Sequence, residues 1–194
     1  VEEGVTTVSP IPGGAPAASR YTATHVLVDG IWQLARVRDS RVEMPSNFDQ
    51  LQSLEWMTGE WFSEHAGVTA VMTCDWVSGK SYLQRTFRVT RGGQLISEST
   101  EIIGWDPIQQ QVISWTFPSN GGRSTGVWTR TSEGWLVSQQ GVTKTGLPTV
   151  AESWWASLDT DSIGWSSLIR AVDGEQLTVP RDVVMTRVKE NTGG

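Results

Sequence analysis

The sequence predicts a mainly β fold: an antiparallel up-and-down barrel of about ten strands, preceded by a three-stranded β segment and one connecting helix. Three observations predict it. Turn signals recur at short spacing beyond residue 59: Ser78-Gly79, Gly92-Gly93, Asp106-Pro107, Asn120-Gly121-Gly122, Glu133-Gly134, Thr145-Gly146, Asp159 to Asp161 and Asp173-Gly174. The runs between them are rich in Val, Ile, Thr, Trp and Ser, the composition of strands. Only residues 45–58 carry helical spacing. A two-sheet sandwich is the alternative, but closure into a barrel removes the sheet edges that so long a meander would leave open.

Residues 1–44 form the first unit. Gly4 to Ser9 reads as a strand and the Pro/Gly/Ala-rich stretch Pro10 to Ala18 as a loop. Arg20 to Val28 and Ile31 to Arg38 flank Asp29-Gly30, a two-residue hairpin signal that supplies the two positive φ angles of a type I′ turn. Three strands without a covering layer make a weak independent unit. In 45–58, Ser46 reads as the N-cap and Asp49 sits in the first turn. Phe48, Leu51, Leu54 and Met57 recur every three residues and Gly59 ends the run, so this helix is a connector or a lid. The barrel, 59–190, has expected strands at about 59–65, 68–77, 81–90, 94–105, 110–117, 123–132, 135–143, 149–158, 162–172 and 181–188.

Composition narrows the function. With 194 residues the chain can bury a sizeable core. There are 15 basic and 21 acidic side chains, a net charge of −6 with no basic run, which argues against nucleic acid and anionic membranes as partners. No apolar stretch reaches the length of a membrane span. The single cysteine, Cys74, excludes an intrachain disulfide and reads as a small core residue. Val1 in place of an initiator Met reads as a processed or cut start, and Asn191 to Gly194 as a frayed tail.

Sites for chemistry are scarce, whereas Trp occurs 11 times. Gly122-Arg123-Ser124-Thr125-Gly126 matches the nucleophile-elbow pattern, but a Trp-containing strand follows it and both His residues lie upstream, so it reads as a turn entering a strand. Asp159-Thr160-Asp161 lacks the rest of a calcium loop. His25 and His65 have no metal-ligand spacing, and no Gly-rich phosphate loop opens a helix, so no metal and no cofactor is expected.

Strand alternation supplies the remaining leads. Leu83, Arg85, Phe87 and Val89 share one face of their strand; Ile113, Trp115 and Phe117 oppose Val112, Ser114 and Thr116 on another. Faces that mix one charge with aromatics suit a barrel that encloses a ligand or water. Glu98, Glu101 and Glu152 lie mid-strand, with Arg85 and Arg170 on other strands. If they point inward they must pair; the other reading is solvated surface charge. The candidate ligand-binding set is Arg85, Glu101, Trp115, Trp128, Glu152 and Arg170. Trp154 and Trp155 are adjacent, so one faces outward.

Two stretches resemble known families. Gly59-Glu60-Trp61 opens the first barrel strand and Arg187 lies on the last, a pattern that resembles the lipocalin and wider calycin signature. The resemblance implies that Trp61 plugs the closed end and Arg187 packs over it. Gly104-Trp105-Asp106-Pro107, then Trp115 and Gly121-Gly122, looks like the lipocalin-like domain at the C-terminus of some bacterial, notably planctomycete, secreted proteins; this likeness covers about 55–190. Arg20 to Val26 and Asp29 to Arg38 are similar to the last two strands of a SnoaL-like, ketosteroid-isomerase-type domain, which precedes the barrel in two-domain relatives of SgcJ/EcaC type. The pocket acids and bases of that domain mostly lie in strands and helices that this chain lacks, so no catalytic residue is carried over. Calycin barrels that hold haem through one His carry it near the C-terminus, where this chain has none.

The resemblance implies an extracytoplasmic location, periplasmic or secreted, and a barrel that binds a small, partly apolar ligand. Two further readings stand beside it: a structural subunit that self-associates through its N-terminal strands and Trp surfaces, and a cavity enzyme of isomerase, cyclase or hydratase type using Glu101 or Glu152. The scarcity of catalytic side chains favours binding over catalysis.

Overall fold

The computed structural model describes residues 1–8, 17–42, 46–178 and 182–189. Of the expected loop Pro10 to Ala18, residues 10–16 fall outside them, while Ala17 and Ala18 belong to the strand that follows; the expected tail Asn191 to Gly194 also falls outside them. The chain divides into two compact units, one ending at Ser46 and one beginning at Asn47.

The first unit is an antiparallel sheet in the order β1 (Glu2–Val8), β2 (Ala17–Val28), β3 (Ile31–Val42). The β2–β3 hairpin turns at Asp29 and Gly30, both at positive φ (50° and 79°), as its two-residue signal requires. Ile31, Trp32, Leu34 and Val37 of β3 are exposed.

The second unit begins with one α-helical turn, α1 (Phe48–Leu51), that tightens into a 3-10 helix over Gln52–Met57. The expected N-cap at Ser46 is displaced by one residue: Asn47 occupies that position and makes no side-chain cap bond. The three-residue apolar spacing explains the 3-10 geometry. That helix has three residues per turn, so Leu51, Leu54 and Met57 stack in one line. All three are fully buried.

The barrel strands are β4 (Gly59–His65), β5 (Val68–Val77), β6 (Tyr82–Arg91), β7 (Gln94–Asp106), β8 (Gln111–Pro118), β9 (Arg123–Arg130), β10 (Trp135–Val142), β11 (Pro148–Ser157), β12 (Ser162–Val172) and β14 (Val183–Arg187). Each pairs antiparallel with its neighbour, β14 returns to β4, and β11 pairs with β12, so the sheet closes on itself. The ten expected strands are all present. A two-residue strand, β13 (Glu175–Gln176), adds to the end of β12.

The barrel has a sealed half and an open half. Inward residues at the end where the chain enters β4 are buried: Trp61, Met72, Leu83, Ile103, Val112, Trp128, Trp135, Ile163 and Met185. Leu51, Leu54 and Met57 join that core and act as its lid. Toward the other end the inward positions Ser63, Ala70, Val89, Ser99, Thr116, Ser124 and Gln139 are only half-buried.

The closing seam is narrow: among the described residues β14 and β4 share the pairs Thr186–Phe62 and Arg187–Trp61, extended by the Val188 N–H donating to the Glu60 carbonyl at 2.8 Å. The Arg187 side chain reinforces it. Its guanidinium carbon lies 4.0 Å from the Trp61 ring centroid. It donates to the carbonyls of Thr58 (2.7 Å), Trp56 (3.4 Å) and Thr160 (3.2 Å). Trp61 Nε1 donates to the Met57 carbonyl at 2.8 Å. Gly59, at φ 109°, leaves the room this needs, because a Cβ there would lie 2.5 Å from Arg187 Nη1. Arg187 thus packs over Trp61 with Gly59 beside it.

Gly59→Ala combines a strained φ with a clash on the clamp and is expected to lower stability by about 2 kcal/mol. Urea unfolding followed by tryptophan fluorescence checks this; an unchanged midpoint would show that the clamp yields without cost.

Candidate functional site

The site is built from inward positions of adjacent strands at the boundary between the two halves. On β6, Arg85 lies between buried Leu83 and half-buried Phe87. On β7, Glu101 lies between buried Ile103 and half-buried Ser99. On β8, Ser114 lies between buried Val112 and half-buried Thr116. Strand register sets Arg85 directly opposite Glu101, and Glu101 opposite Thr116. Ser114 and then Trp128 of β9 follow as diagonal neighbours around the wall.

Arg85 Nε donates to Glu101 Oε2 at 2.6 Å, and both side chains are 3% exposed. The guanidinium is boxed by aromatic rings, with its central carbon 4.3 Å from the Trp155 centroid, 4.9 Å from Trp128 and 5.1 Å from Phe87. Below it, Arg85 Nη1 meets the lid at Met57 Sδ, 3.7 Å away. Electron-rich ring faces and a polarizable sulfur suit a desolvated cation. A buried ion pair still costs more desolvation than hydrophobic packing would, so stability alone does not explain it.

Three buried polar atoms beside the pair have no hydrogen-bond partner: Glu101 Oε1, Ser114 Oγ and Trp128 Nε1. Buried polar groups are nearly always paired, with protein, water or ligand. Gly126 leaves the Ser114 hydroxyl its space, because a Cβ there would lie 2.7 Å from Ser114 Oγ. Toward the open half, Gln139 Nε2 donates to Thr116 Oγ1 at 3.1 Å. Cys74 lies opposite Arg85 and Gly59. Burial pushes its thiol up to about 12, and the nearby Arg85 guanidinium only partly opposes this.

The candidate set thus divides. Arg85, Glu101 and Trp128 come together. Trp115 does not: β8 turns Val112 and Ser114 inward and places Trp115 on the outer surface, near Tyr82 and Gly104. Glu152 stays with outward Ser138, whose hydroxyl donates to it at 3.3 Å. Arg170 is exposed. Glu152 follows plain alternation from inward Trp155 and Ser153, whereas the β11–β12 register skips Leu168, so alternation along β12 read from the sequence alone changes parity before Arg170. Glu98 is at the surface, paired with Arg88 at 3.2 Å. Of the adjacent tryptophans, Trp155 is inside and Trp154 outside, against Gly164.

The sequence reading missed Ser114, Met57 and Trp155 as site residues. Phe87 was legible, since it shares Arg85's face two residues on. Two recesses flank Trp56 at the sealed end, of about 230 Å³ and about 450 Å³. Both are open and lie away from the ion pair. Among the described residues, no group of three His, Cys, Asp or Glu could hold a metal ion, and no helix is long and apolar enough to cross a membrane. No family model and no curated protein matches the sequence.

Arg85→Met leaves the Glu101 carboxylate buried without its partner and is expected to cost about 3–5 kcal/mol. Arg85→Met with Glu101→Leu is expected to return to within about 1 kcal/mol of the parent, as measured by urea unfolding. A double variant no more stable than the single one would show that the pair itself is needed for folding. The Cys74 thiol should stay unreactive to a thiol reagent near neutral pH until the protein unfolds. Its raised folded value also means that, above the unfolded value near 9, the unfolded state loses a proton that the native state keeps. Stability should then fall by about 1.4 kcal/mol per pH unit up to about 12, and Cys74→Ala should remove that slope.

Proposed function

We propose that the barrel is a binding module that admits a small, partly apolar ligand through its open half and holds the ligand's polar end at Arg85 and Glu101. One observation carries this reading. A charged, aromatic-lined cluster with three partnerless buried polar atoms lies at the boundary between the apolar half and the half whose inward wall is only half-buried. Binding sites commonly combine an apolar wall with a few convergent polar groups. The calycin-like clamp at the sealed end supports the reading, since it leaves the other end for entry. An extracytoplasmic location belongs to this proposal, through the likeness to secreted lipocalin-like domains.

Assembly is the second reading, favoured by the exposed apolar side chains of β3. Ile31, Trp32 and Leu34 are 66%, 69% and 57% exposed, and such faces on sheet edges promote association. The cavity-enzyme reading draws less support, because Glu101 and Glu152 do not share a site.

Native mass spectrometry of the chain from its natural source, compared with the same sample denatured, tests both readings. The binding reading expects a small-molecule mass that leaves on denaturation. It also expects that the Arg85→Met, Glu101→Leu double variant, still folded, comes without it. A bare chain in a large assembly would overturn the binding reading in favour of assembly.

A further inference from the structure

The orphaned atoms restrict what the ligand's polar end can be. Their donor and acceptor roles are fixed by chemistry. Glu101 Oε1, on an ionised carboxylate, only accepts, so it needs a donor. Trp128 Nε1–H only donates, so it needs an acceptor. The Ser114 hydroxyl does either. Arg85 and Glu101 neutralise each other at 2.6 Å, so the cluster carries no net charge to balance a charged guest.

Each charged head group fails on this inventory. A carboxylate is acceptor-only, as is Glu101 Oε1, and it brings an uncompensated negative charge into a buried site. An ammonium has no acceptor for the Trp128 N–H, and the aromatic faces that would hold a cation already hold Arg85. An added charge in a desolvated site is costly unless it is paired. A neutral group that both donates and accepts suits this inventory, since it can give a proton to Glu101 Oε1 or take one from Trp128 Nε1.

Resting on the binding reading above, we infer that the barrel selects ligands with a neutral donor–acceptor head, a hydroxyl or a primary amide, and rejects carboxylates and ammonium groups with the same tail. Ser114, seated between the two fixed partners on the strand that joins them, is the residue that adapts to either head. Gly126 is small so that this hydroxyl has room.

The test uses the full chain and head groups matched on two tails: butanol, butanamide, butyrate and butylammonium, and their octyl counterparts. The readouts are binding by calorimetry and the Trp128 indole N–H resonance, assigned through Trp128→Phe. The alcohol and amide are expected to bind at least about ten-fold more tightly than the charged partners and to shift that resonance. Ser114→Ala, which removes one hydroxyl and adds no bulk, is expected to narrow the preference several-fold. A carboxylate or ammonium that binds as tightly as the amide would overturn the head-group inference and leave the binding reading standing. If no head on either tail binds or moves the indole resonance, the orphaned atoms serve buried water, and both readings fall.

Discussion

The barrel depends on the Arg187 clamp. An up-and-down meander closes only if its last strand meets its first, and here that meeting amounts to two residue pairs and one further backbone bond, from the Val188 N–H to the Glu60 carbonyl. One side chain gathers what the short strand cannot. It covers Trp61 on β4, binds the carbonyls of Trp56 and Thr58 where the lid enters the barrel, and reaches the Thr160 carbonyl between β11 and β12. Those carbonyls lie in the 3-10 helix and in the segments that connect elements, and a planar guanidinium offers several donors in fixed directions. Lysine, with one small head, could not satisfy them together. The lid follows from the same clamp, since Trp61 holds the Met57 carbonyl from the opposite side.

Sealing one end gives the interior its gradient. Below the Arg85 and Glu101 layer, most inward positions are large and apolar; above it Phe87 and Val89 alternate with small or polar positions such as Ser99, Ser124 and Thr116. The ion pair sits where the gradient changes. Its cation is sheltered by three rings and a thioether, so the carboxylate is half satisfied and half available. A core designed for stability alone would put two well-packed hydrophobic residues there.

Much of the fold was legible because turns need specific residues. Asp29-Gly30, Gly92-Gly93 and Asp173-Gly174 all adopt positive φ, which few other pairs accept without strain. Once the turns are placed, the strands between them follow. The calycin-like triplet was legible for the same reason: Gly59 must lack a Cβ for Arg187 to reach Thr58. The site was less legible, because alternation assigns residues to faces but does not say which face is inside. Size misleads on β8, where Trp115 and Phe117 lie outside and Ser114 inside. On β12 the register shift opposite Glu152 and Ser153 leaves Leu168 as an extra residue and changes the count partway along that strand. Arg85 and Glu101 were recoverable as a pair only if both faced inward, since neither charge could be buried alone.

The two ends of the barrel answer different physical demands. Around the clamp each of these groups finds a protein partner: Trp61 in Met57, Arg187 in three carbonyls, Thr58 Oγ1 in the Glu55 carbonyl. Around the Arg85 and Glu101 pair, three buried polar atoms find none. The same chain thus completes its polar contacts where the barrel closes and leaves them incomplete around the ion pair. An unpaired buried polar group costs about 1–3 kcal/mol, so three such groups around one ion pair are a considerable burden that packing elsewhere in the barrel must offset.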